Sequence, residues 1–345
     1  MSYQRGWQAL NLQMPDQIPH TEYLSHPGWV KRLTGIDPRE EGRAGDAFWM
    51  AARAWDYDFL WFNMAPPNEP RLTHMGTATW SEDYELTDNR VCPFEDEEAV
   101  LSFDPVAEIG ILPHEELVEH YSRTWRARQE AFPTCVIPGG YYNTVFMWAI
   151  KTFGWELFLT AAGLDEERFD DVLEGFFQIS LAQFRAQAEC GCKVFICHDD
   201  IVWTEGAIFA PEWYREHVFP RFKELWAPLK ERGIILLFCS DGDFTEFVDD
   251  LVECGADGFI FEPMTSLDYI VENYGQSKVI IGNMDCRILM FGTRDEVWAE
   301  VERCANLGRD CPGYFFAVGN HIPWNIPIES IEVYAEAIKV LGKRR

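Results

Sequence analysis

Ionisable residues follow several apolar runs of this sequence at the point where each run ends. The run Ile234–Phe238 is the clearest, because Cys239 and Asp241 come directly after it. Five apolar residues in a row predict a strand buried on both faces, as in a parallel sheet. Parallel α/β folds build their sites at the carboxyl ends of strands. Other runs end in the same way, and the polar residues that follow them are His198, Asp199 and Asp200, then Glu262, then Asn283 and Asp285, and finally Asn320 and His321.

Three kinds of chemistry suit this set of residues. Thiolate, imidazole and carboxylate are ligands of zinc, and zinc-bound water or thiolate is a nucleophile at neutral pH. Without a metal, crowded carboxylates have pKa values that are pushed apart and can do acid–base work. A nucleophilic pair of Cys239 with His321 or His198 is a third option. A structural interpretation stays open, in which Asp285 caps a helix and His198 pairs with Asp199.

The order of the predicted strands and helices determines how these residues meet. Strands are predicted at 57–63, 99–103, 134–138, 193–197, 233–238, 258–261, 278–281 and 313–318, and helices at 27–33, 45–55, 113–131, 141–153, 166–188, 211–232, 244–253, 266–274, 293–307 and 328–341. This alternation predicts the α/β class, as a (β/α)8 TIM barrel in a single domain over residues 1–345. Residues 1–50 are predicted to be an irregular extension packed on the barrel. Residues 64–98 are predicted to be a long excursion with a short strand near Thr77–Trp80.

The composition excludes several classes of partner. The chain has 57 acidic and 29 basic residues and a net charge of −28, so we expect it to repel nucleic acid and anionic membranes. No apolar run reaches the roughly 18 residues of a membrane span, and Met1–Gln13 lacks the apolar core of a signal peptide, so we expect a cytoplasmic protein. The ten cysteines are scattered, which suits a reducing compartment, and Cys190-Gly191-Cys192 is interpreted as structural.

Longer stretches around the predicted strand ends resemble the uroporphyrinogen decarboxylase superfamily, which includes corrinoid-dependent methyltransferases. These stretches are HDDIVWTEGAIFAPEWY from His198, CSDGDFTEF from Cys239, GADGFIFEP from Gly255, IGNMDCRILMFGT from Ile281 and GNHIPWNIP from Gly319. Together they cover residues 193–342, and MPDQIPHTEY from Met14 resembles the start of the family. The resemblance implies a (β/α)8 barrel, in agreement with the strand count.

Within the superfamily, the resemblance is nearer to the methyltransferases than to true uroporphyrinogen decarboxylases. The decarboxylases resemble each other in an arginine-rich N-terminal segment that binds the carboxylates of their substrate. Here Arg32 and Arg39 are isolated. Together with the negative net charge, this makes an octacarboxylate tetrapyrrole a poor substrate.

The methyltransferase branch has a zinc site made of a His-x-Cys pair after one strand and a Cys near the last strand. The corresponding positions here are Cys239, Asp241 and Asn320, and all three differ from that pattern. The resemblance therefore implies a zinc site of Cys239, Asp241 and His321, with Glu262 as a fourth ligand.

The resemblance predicts a corrinoid-dependent methyltransferase, which moves a methyl group between a small methylated substrate and a corrinoid cofactor or corrinoid carrier protein. The catalytic residues of this hypothesis are Asp199, Asp200, Glu262 and Asp285. Its substrate-binding residues are His198, Trp203, Asn283, Asn320 and Trp324. A homodimer is also predicted. A metal-independent decarboxylase and a non-catalytic binding barrel stay open as alternatives.

Overall fold

Strands and helices alternate along the part of the chain that the computed structural model describes, which is residues 2–40, 42–67, 79–80, 86–87 and 92–344. The helices are α1 Tyr3–Leu10, α2 Pro27–Thr34, α3 Ala44–Ala54, α4 Glu97–Leu101, α5 Pro105–Ile109, α6 His114–Ala131, α7 Phe146–Leu164, α8 Glu166–Gln187, α9 Pro211–His217, α10 Phe219–Glu231, α11 Val248–Cys254, α12 Leu267–Tyr274, α13 Cys286–Phe291, α14 Arg294–Gly308 and α15 Ile328–Leu341. The strands are β1 Tyr23–Ser25, β2 Thr79–Trp80, β3 Leu86–Thr87, β4 Gly139–Tyr142, β5 Val194–His198, β6 Val202–Trp203, β7 Gly206–Ala207, β8 Ile235–Ser240, β9 Gly258–Phe261, β10 Val279–Ile281, β11 Tyr314–Phe315 and β12 His321–Pro323.

Six parallel strands form the central sheet, in the order β11-β10-β9-β8-β5-β4. Two segments of extended chain connect its two edges. Beside β4, Phe59 pairs in parallel with Val136, and beside β11, His20 pairs in parallel with Phe316. The two segments also meet each other, because the Asp58 backbone N–H donates to the His20 carbonyl at 2.9 Å. Backbone hydrogen bonds therefore run around the whole ring, and the fold is a (β/α)8 barrel of the α/β class.

The barrel interior is apolar below its carboxyl end. Alternate side chains of a strand point to opposite faces, so each strand contributes one or two residues to the interior. The inward residues include Phe59, Trp61, Val136, Val194, Ile196, Leu237, Ile260, Val279, Ile281, Phe315 and Ala317. Helix α1 adds Ala9 and Leu10 to this cluster, and its neighbour Leu12 approaches Gly313 just before β11, so α1 closes the end where the strands begin. Polar side chains therefore have room only at the opposite end.

A second core lies between the strands and the surrounding helices. Trp226 of α10 is fully buried there, stacks on Phe222 with ring centroids 5.3 Å apart, and donates its indole N–H to the Cys197 sulfur at 3.3 Å. Cys197 of β5 therefore points outward to the helices. Because side chains alternate along a strand, its neighbour His198 points the other way, into the barrel.

Two predicted elements are wrong. Where a strand was predicted at 99–103, residues 97–101 form helix α4, because the Asp96 side chain accepts a hydrogen bond from the Ala99 N–H at 2.9 Å and caps the helix. Residues 139–142 form strand β4 rather than the start of a helix. The Gln187 side-chain amide bonds both the N–H and the carbonyl of Gly140, at 2.9 and 3.1 Å, which holds this backbone extended.

The N-terminal segment is more regular than the predicted irregular extension over residues 1–50. It contains α1, α2 and most of α3, and residues 18–21 form part of the ring. Of the short strand predicted near Thr77–Trp80, residues 79–80 belong to β2 and the rest lies outside the described residues. None of the described helices has both the length and the apolar character that crossing a membrane requires.

Candidate functional site

The carboxyl ends of the parallel strands meet at one end of the barrel, which we call the mouth. The register pairs His198 at the end of β5 with Cys239 of β8. Paired residues of a parallel sheet point to the same face, and Cys239 belongs to the interior cluster, so both side chains point inward. Asp200 and Asp241 follow two residues later and lie at the same end. The strand ends thus assemble the residues that the sequence spacing singled out.

His198, Asp200 and Asp241 form a compact group in the mouth, which we call the donor cluster. His198 Nε2 donates to Asp200 Oδ1 at 3.1 Å, and the Asp241 backbone N–H donates to the same oxygen at 2.9 Å. One nitrogen or oxygen atom from each of the three side chains lies within 4.8 Å of the others. Two carboxylates therefore share a small volume with one imidazole.

Asn320 connects the donor cluster to two further residues. Its side-chain N–H₂ group donates to Asp241 Oδ2 at 3.1 Å and to Glu262 Oε1 at 2.7 Å. Its side-chain oxygen accepts from the backbone N–H of His321 at 2.6 Å and lies 2.7 Å from His321 Nδ1. The other oxygen of Glu262 accepts from the Gly242 N–H at 2.9 Å. The ends of β8, β9 and β11 are therefore held together by side-chain hydrogen bonds.

Two glycines allow the backbone segments of the mouth to approach this closely. Gly242 has a φ of +81°, and a Cβ there would lie 2.5 Å from the carbonyl oxygen of Trp203. A Cβ on Gly319 would lie 2.3 Å from the carbonyl oxygen of Phe261. Any larger residue at Gly319 would push Asn320 away from Glu262.

Burial and like charge shift the pKa values in the donor cluster. Burial and the charges of Asp200 and Glu262 raise the pKa of Asp241 to about 7. Burial also acts to raise the pKa of Asp200, but His198 outweighs it and lowers that pKa overall. For His198, burial acts to lower the pKa, but the Cys239 sulfur and Asp200 outweigh it and raise the value well above its usual range. Protons therefore reside on this cluster at neutral pH, at positions that a metal cation would compete for.

The donor cluster fits a zinc ion chemically. An imidazole and two carboxylates give three protein ligands of the types zinc accepts, and three ligands leave a position open for substrate or water. The sequence grouped Asp241 with Cys239 and His321 instead. The structure corrects that grouping, because His321 bonds Asn320, whereas Asp241 lies with His198 and Asp200. Burial raises the pKa of the Cys239 thiol, although its contact with His198 acts in the opposite direction.

Tyr142 and Lys151 also belong to the mouth, and the sequence analysis missed both. The Tyr142 ring meets the His198 ring edge-on at 4.2 Å, and Lys151 Nζ lies 4.5 Å from the Tyr142 ring centroid. Burial raises the pKa of Tyr142, and the nearby charges of Asp200 and Asp241 act in the same direction. Residues 141–153 were predicted as one helix, which hid the strand end. Two aromatic residues after a glycine pair were the available signal for a strand.

Asp199, a predicted catalytic residue, lies outside the donor cluster. Its side chain is fully buried and accepts from the Thr144 hydroxyl at 2.5 Å and from the N–H groups of Val145, Phe146 and Met147 at 2.8, 3.0 and 2.7 Å. These donors occupy both carboxylate oxygens. Asp199 therefore anchors the start of α7, and we revise its role from catalysis to structure.

Asn283 and Asp285, which were predicted to bind substrate and to act in catalysis, also have structural partners. Asn283 is buried, donates to the Thr265 carbonyl at 3.2 Å and accepts from Arg303 at 3.1 Å. Asp285 caps α13 and accepts from Arg287 Nη2 at 2.7 Å. Neither side chain contacts the donor cluster in the described part of the chain, so both are removed from the candidate site.

The two predicted tryptophans line separate cavities. Trp203 is 56% exposed and meets Trp155 edge-on at 5.4 Å, in a cleft of about 630 Å³. Trp324 lines another cavity, of about 310 Å³, together with His321. Both cavities lie beside loops that follow barrel strands, so both tryptophans stay candidates for substrate binding.

Comparison with known proteins assigns the family. The family described as Uroporphyrinogen decarboxylase (URO-D) matches residues 96–341, well over half of the chain. The chain belongs to the uroporphyrinogen decarboxylase family. It is 26% identical over 172 residues to the uroporphyrinogen decarboxylase of Syntrophotalea carbinolica, covering 50% of this chain and 48% of that protein. It is 24% identical over 178 residues to that of Carboxydothermus hydrogenoformans, covering 51% and 49%. The chain thus spans about half the length of the curated relatives it matches.

Solved structures agree on the fold. A methyltransferase from Methanosarcina mazei superposes with a TM-score of 0.67 at 17% identity, over 97% of both chains. A putative vitamin-B12 independent methionine synthase from Listeria monocytogenes gives a TM-score of 0.50 at 11% identity, over 95% and 96%. At such low identity, these similarities establish the barrel architecture alone.

Proposed function

We propose that this member of the uroporphyrinogen decarboxylase family is a corrinoid-dependent methyltransferase. It transfers a methyl group between a small methylated compound and the cobalt of a corrinoid, which is free or held by a carrier protein. The observation that supports this most is the donor cluster of His198, Asp200 and Asp241 in an acidic mouth. The Methanosarcina mazei protein of similar fold is named a methyltransferase, which agrees with the proposal.

The charge of the mouth disfavours a substrate with many carboxylates. Asp200, Asp241 and Glu262 lie together there, and the charges of His198 and, more weakly, Lys151 act on Asp200. The isolated arginines of the N-terminal segment have acidic partners of their own: Arg32 pairs with Glu332, and Arg39 pairs with Asp37. In the described part of the chain these three carboxylates would repel a polyanion, and no arginine there bonds to any of them.

In this proposal, the donor cluster holds a zinc ion. When bound, zinc supplies a Lewis acid that polarises the group exchanging the methyl. Asn320 holds Asp241 and Glu262 in fixed orientation through its two donated hydrogen bonds. The Tyr142 ring packs on the His198 ring and limits its rotation. The chain's own contribution is therefore to position the ligands.

Metal content distinguishes the donor cluster from the zinc ligands predicted from sequence, which are Cys239, Asp241 and His321. We expect about one zinc per chain by elemental analysis of protein purified without chelator. His198→Ala and Asp241→Ala should lose it, whereas Cys239→Ala should retain it. His114→Ala, an exposed histidine on α6, is the matched control and should also retain it. Loss of zinc in Cys239→Ala, with retention in His198→Ala, would restore the sequence-predicted ligands.

Activity is tested separately with methyl donors. Protein mixed with cob(I)alamin and methoxyaromatic or methylamine compounds should form methylcobalamin, followed by its absorbance, and Asp241→Ala should lose this activity. Absence of methyl transfer with every donor in both directions, from zinc-loaded wild-type protein, would reject the proposal.

Decarboxylation is the second candidate, since the matched curated relatives bear the name uroporphyrinogen decarboxylase. In that case Asp200, Asp241 and Glu262 would do acid–base chemistry without a metal. Turnover of uroporphyrinogen by protein treated with chelator would establish this candidate in place of methyl transfer.

A further inference from the structure

A cavity of about 310 Å³ lies between the N-terminal segment and strand β12, whose first residue, His321, hydrogen-bonds Asn320. Its walls are mainly apolar and include Phe48, Trp324 and the prolines Pro27, Pro38 and Pro323, while Ser25 and Arg39, which pairs with Asp37, add polar groups. The imidazole of His321 also lines it. A cavity of this size and character suits a small, ring-sized molecule whose polar atoms are few.

The hydrogen bonds of Asn320 determine which way its amide points. A backbone N–H can only donate, and the N–H of His321 lies 2.6 Å from Oδ1 of Asn320, so this atom is the amide oxygen. The amide nitrogen then faces Asp241 and Glu262, at 3.1 and 2.7 Å, as two carboxylates require. These three contacts agree on one orientation of the amide.

The orientation of Asn320 in turn determines the tautomer of His321. His321 Nδ1 lies 2.7 Å from the amide oxygen, which accepts, so Nδ1 must carry the hydrogen. In the neutral imidazole, Nε2 then has a free lone pair. The described residues offer no hydrogen-bond partner to Nε2. The imidazole therefore presents a fixed acceptor beside an apolar cavity.

We propose that this cavity binds a small hydroxyl compound of the phenol or alcohol class, with its O–H donated to Nε2 of His321. The inference rests on the proposed function, in which this compound is the unmethylated form of the substrate, held at His321 before or after the methyl is exchanged at the donor cluster. The methylated form of the same compound is an ether, which has no O–H to donate. His321 thus discriminates between the two forms, and the path Asp241–Asn320–His321 joins this pocket to the donor cluster.

The tautomer can be measured without any activity. In protein labelled with ¹⁵N-histidine, we expect His321 at neutral pH to show a protonated Nδ1 and an unprotonated Nε2 by long-range ¹H–¹⁵N correlation. Asn320→Ala removes the amide oxygen, so the tautomer should become mixed. A protonated Nε2 with an unprotonated Nδ1 in the wild-type protein would overturn the proposal.

Ligand preference is tested with phenol and its methyl ether, anisole, as probes. Wild-type protein should bind phenol roughly three- to tenfold more tightly than anisole, as expected for one hydrogen bond. His321→Ala should bring phenol to the affinity of anisole, while the matched control His114→Ala keeps the preference. Equal binding of both probes by wild-type protein would overturn the proposal, whatever the variants do.

The outcomes separate this inference from the proposed function. Binding of phenol through His321 without methyl transfer would retain the pocket and reject the enzyme activity. Methyl transfer to compounds without phenol preference would retain the activity and reject the pocket.

Discussion

Two carboxylates that are adjacent in sequence, Asp199 and Asp200, lie in opposite surroundings at the same end of the barrel. Asp199 is enclosed by one hydroxyl and three backbone N–H groups, so each of its oxygens is satisfied by neutral donors. Asp200 shares its oxygen with His198 and the backbone of Asp241, and its neighbours include further carboxylates. The surroundings of Asp199 stabilise the fold. Those of Asp200 leave negative charge that can bind a cation or a proton.

The difference shows how to tell a structural acidic residue from a functional one in a parallel barrel. A buried carboxylate that meets only donors has no capacity left for a ligand. A carboxylate that meets other carboxylates costs folding free energy, and such a cost is typical of a site that binds a ligand. The predictions below change one side of this comparison at a time.

The largest effect is expected from Asp199→Ala. The change leaves buried N–H groups at the start of α7 without an acceptor, so we expect a loss of about 3–5 kcal/mol in the free energy of unfolding. Urea denaturation measures it. Asp200→Ala is the matched control and should lose less, because only one of its oxygens accepts hydrogen bonds and its removal also relieves repulsion with Asp241. Equal losses in the two variants would mean that both carboxylates are structural.

A smaller effect is expected from Asp241→Asn, and it depends on pH. The pKa of Asp241 is raised from 3.8 to about 7, so between these values the folded state binds more protons than the unfolded state. Stability of the wild-type protein therefore falls as pH rises through this window, and the asparagine variant lacks this contribution.

From pH 4 to pH 7, the free energy of unfolding of wild-type protein should therefore fall by about 2 kcal/mol relative to that of Asp241→Asn. Urea unfolding of metal-free protein at several pH values checks this. Parallel pH curves for the two proteins would show that Asp241 titrates normally. Metal-loaded wild-type protein should lose the slope, because zinc replaces the proton.

The sequence predicted the barrel well because its strands are continuous apolar runs separated by capped helices. Strand Gly258–Phe261 has the predicted bounds, and the other strands predicted after residue 190 differ by a few residues at their ends, whereas the short strands β6, β7 and β12 were not predicted. The prediction from sequence failed where the local preference of the chain conflicts with tertiary contacts. At Gly140, the Gln187 amide from α8 stabilises an extended backbone, and nothing near Gly140 in sequence reveals this partner.

The candidate site was predicted in part for the same reason. Spacing placed His198, Asp200, Asp241, Glu262 and Asn320 at strand ends, and the structure joins them through hydrogen bonds. Spacing did not show which partner each side chain would find. Asp199 is as close to the strand end as Asp200, but the backbone that surrounds it belongs to a loop more than 50 residues earlier.

The smallest effect is expected from Arg287→Ala, which tests whether Asp285 is correctly excluded from the site. Arg287 is 65% exposed in its side chain, and its ion pair with Asp285 at 2.7 Å lies at the protein surface. Exposed ion pairs contribute little, so the free energy of unfolding should change by about 0.5 kcal/mol or less. Zinc content and methyl transfer should stay at wild-type levels. A loss of zinc in this variant would place Asp285 back in the mouth and remove the distinction between its structural cap and the donor cluster.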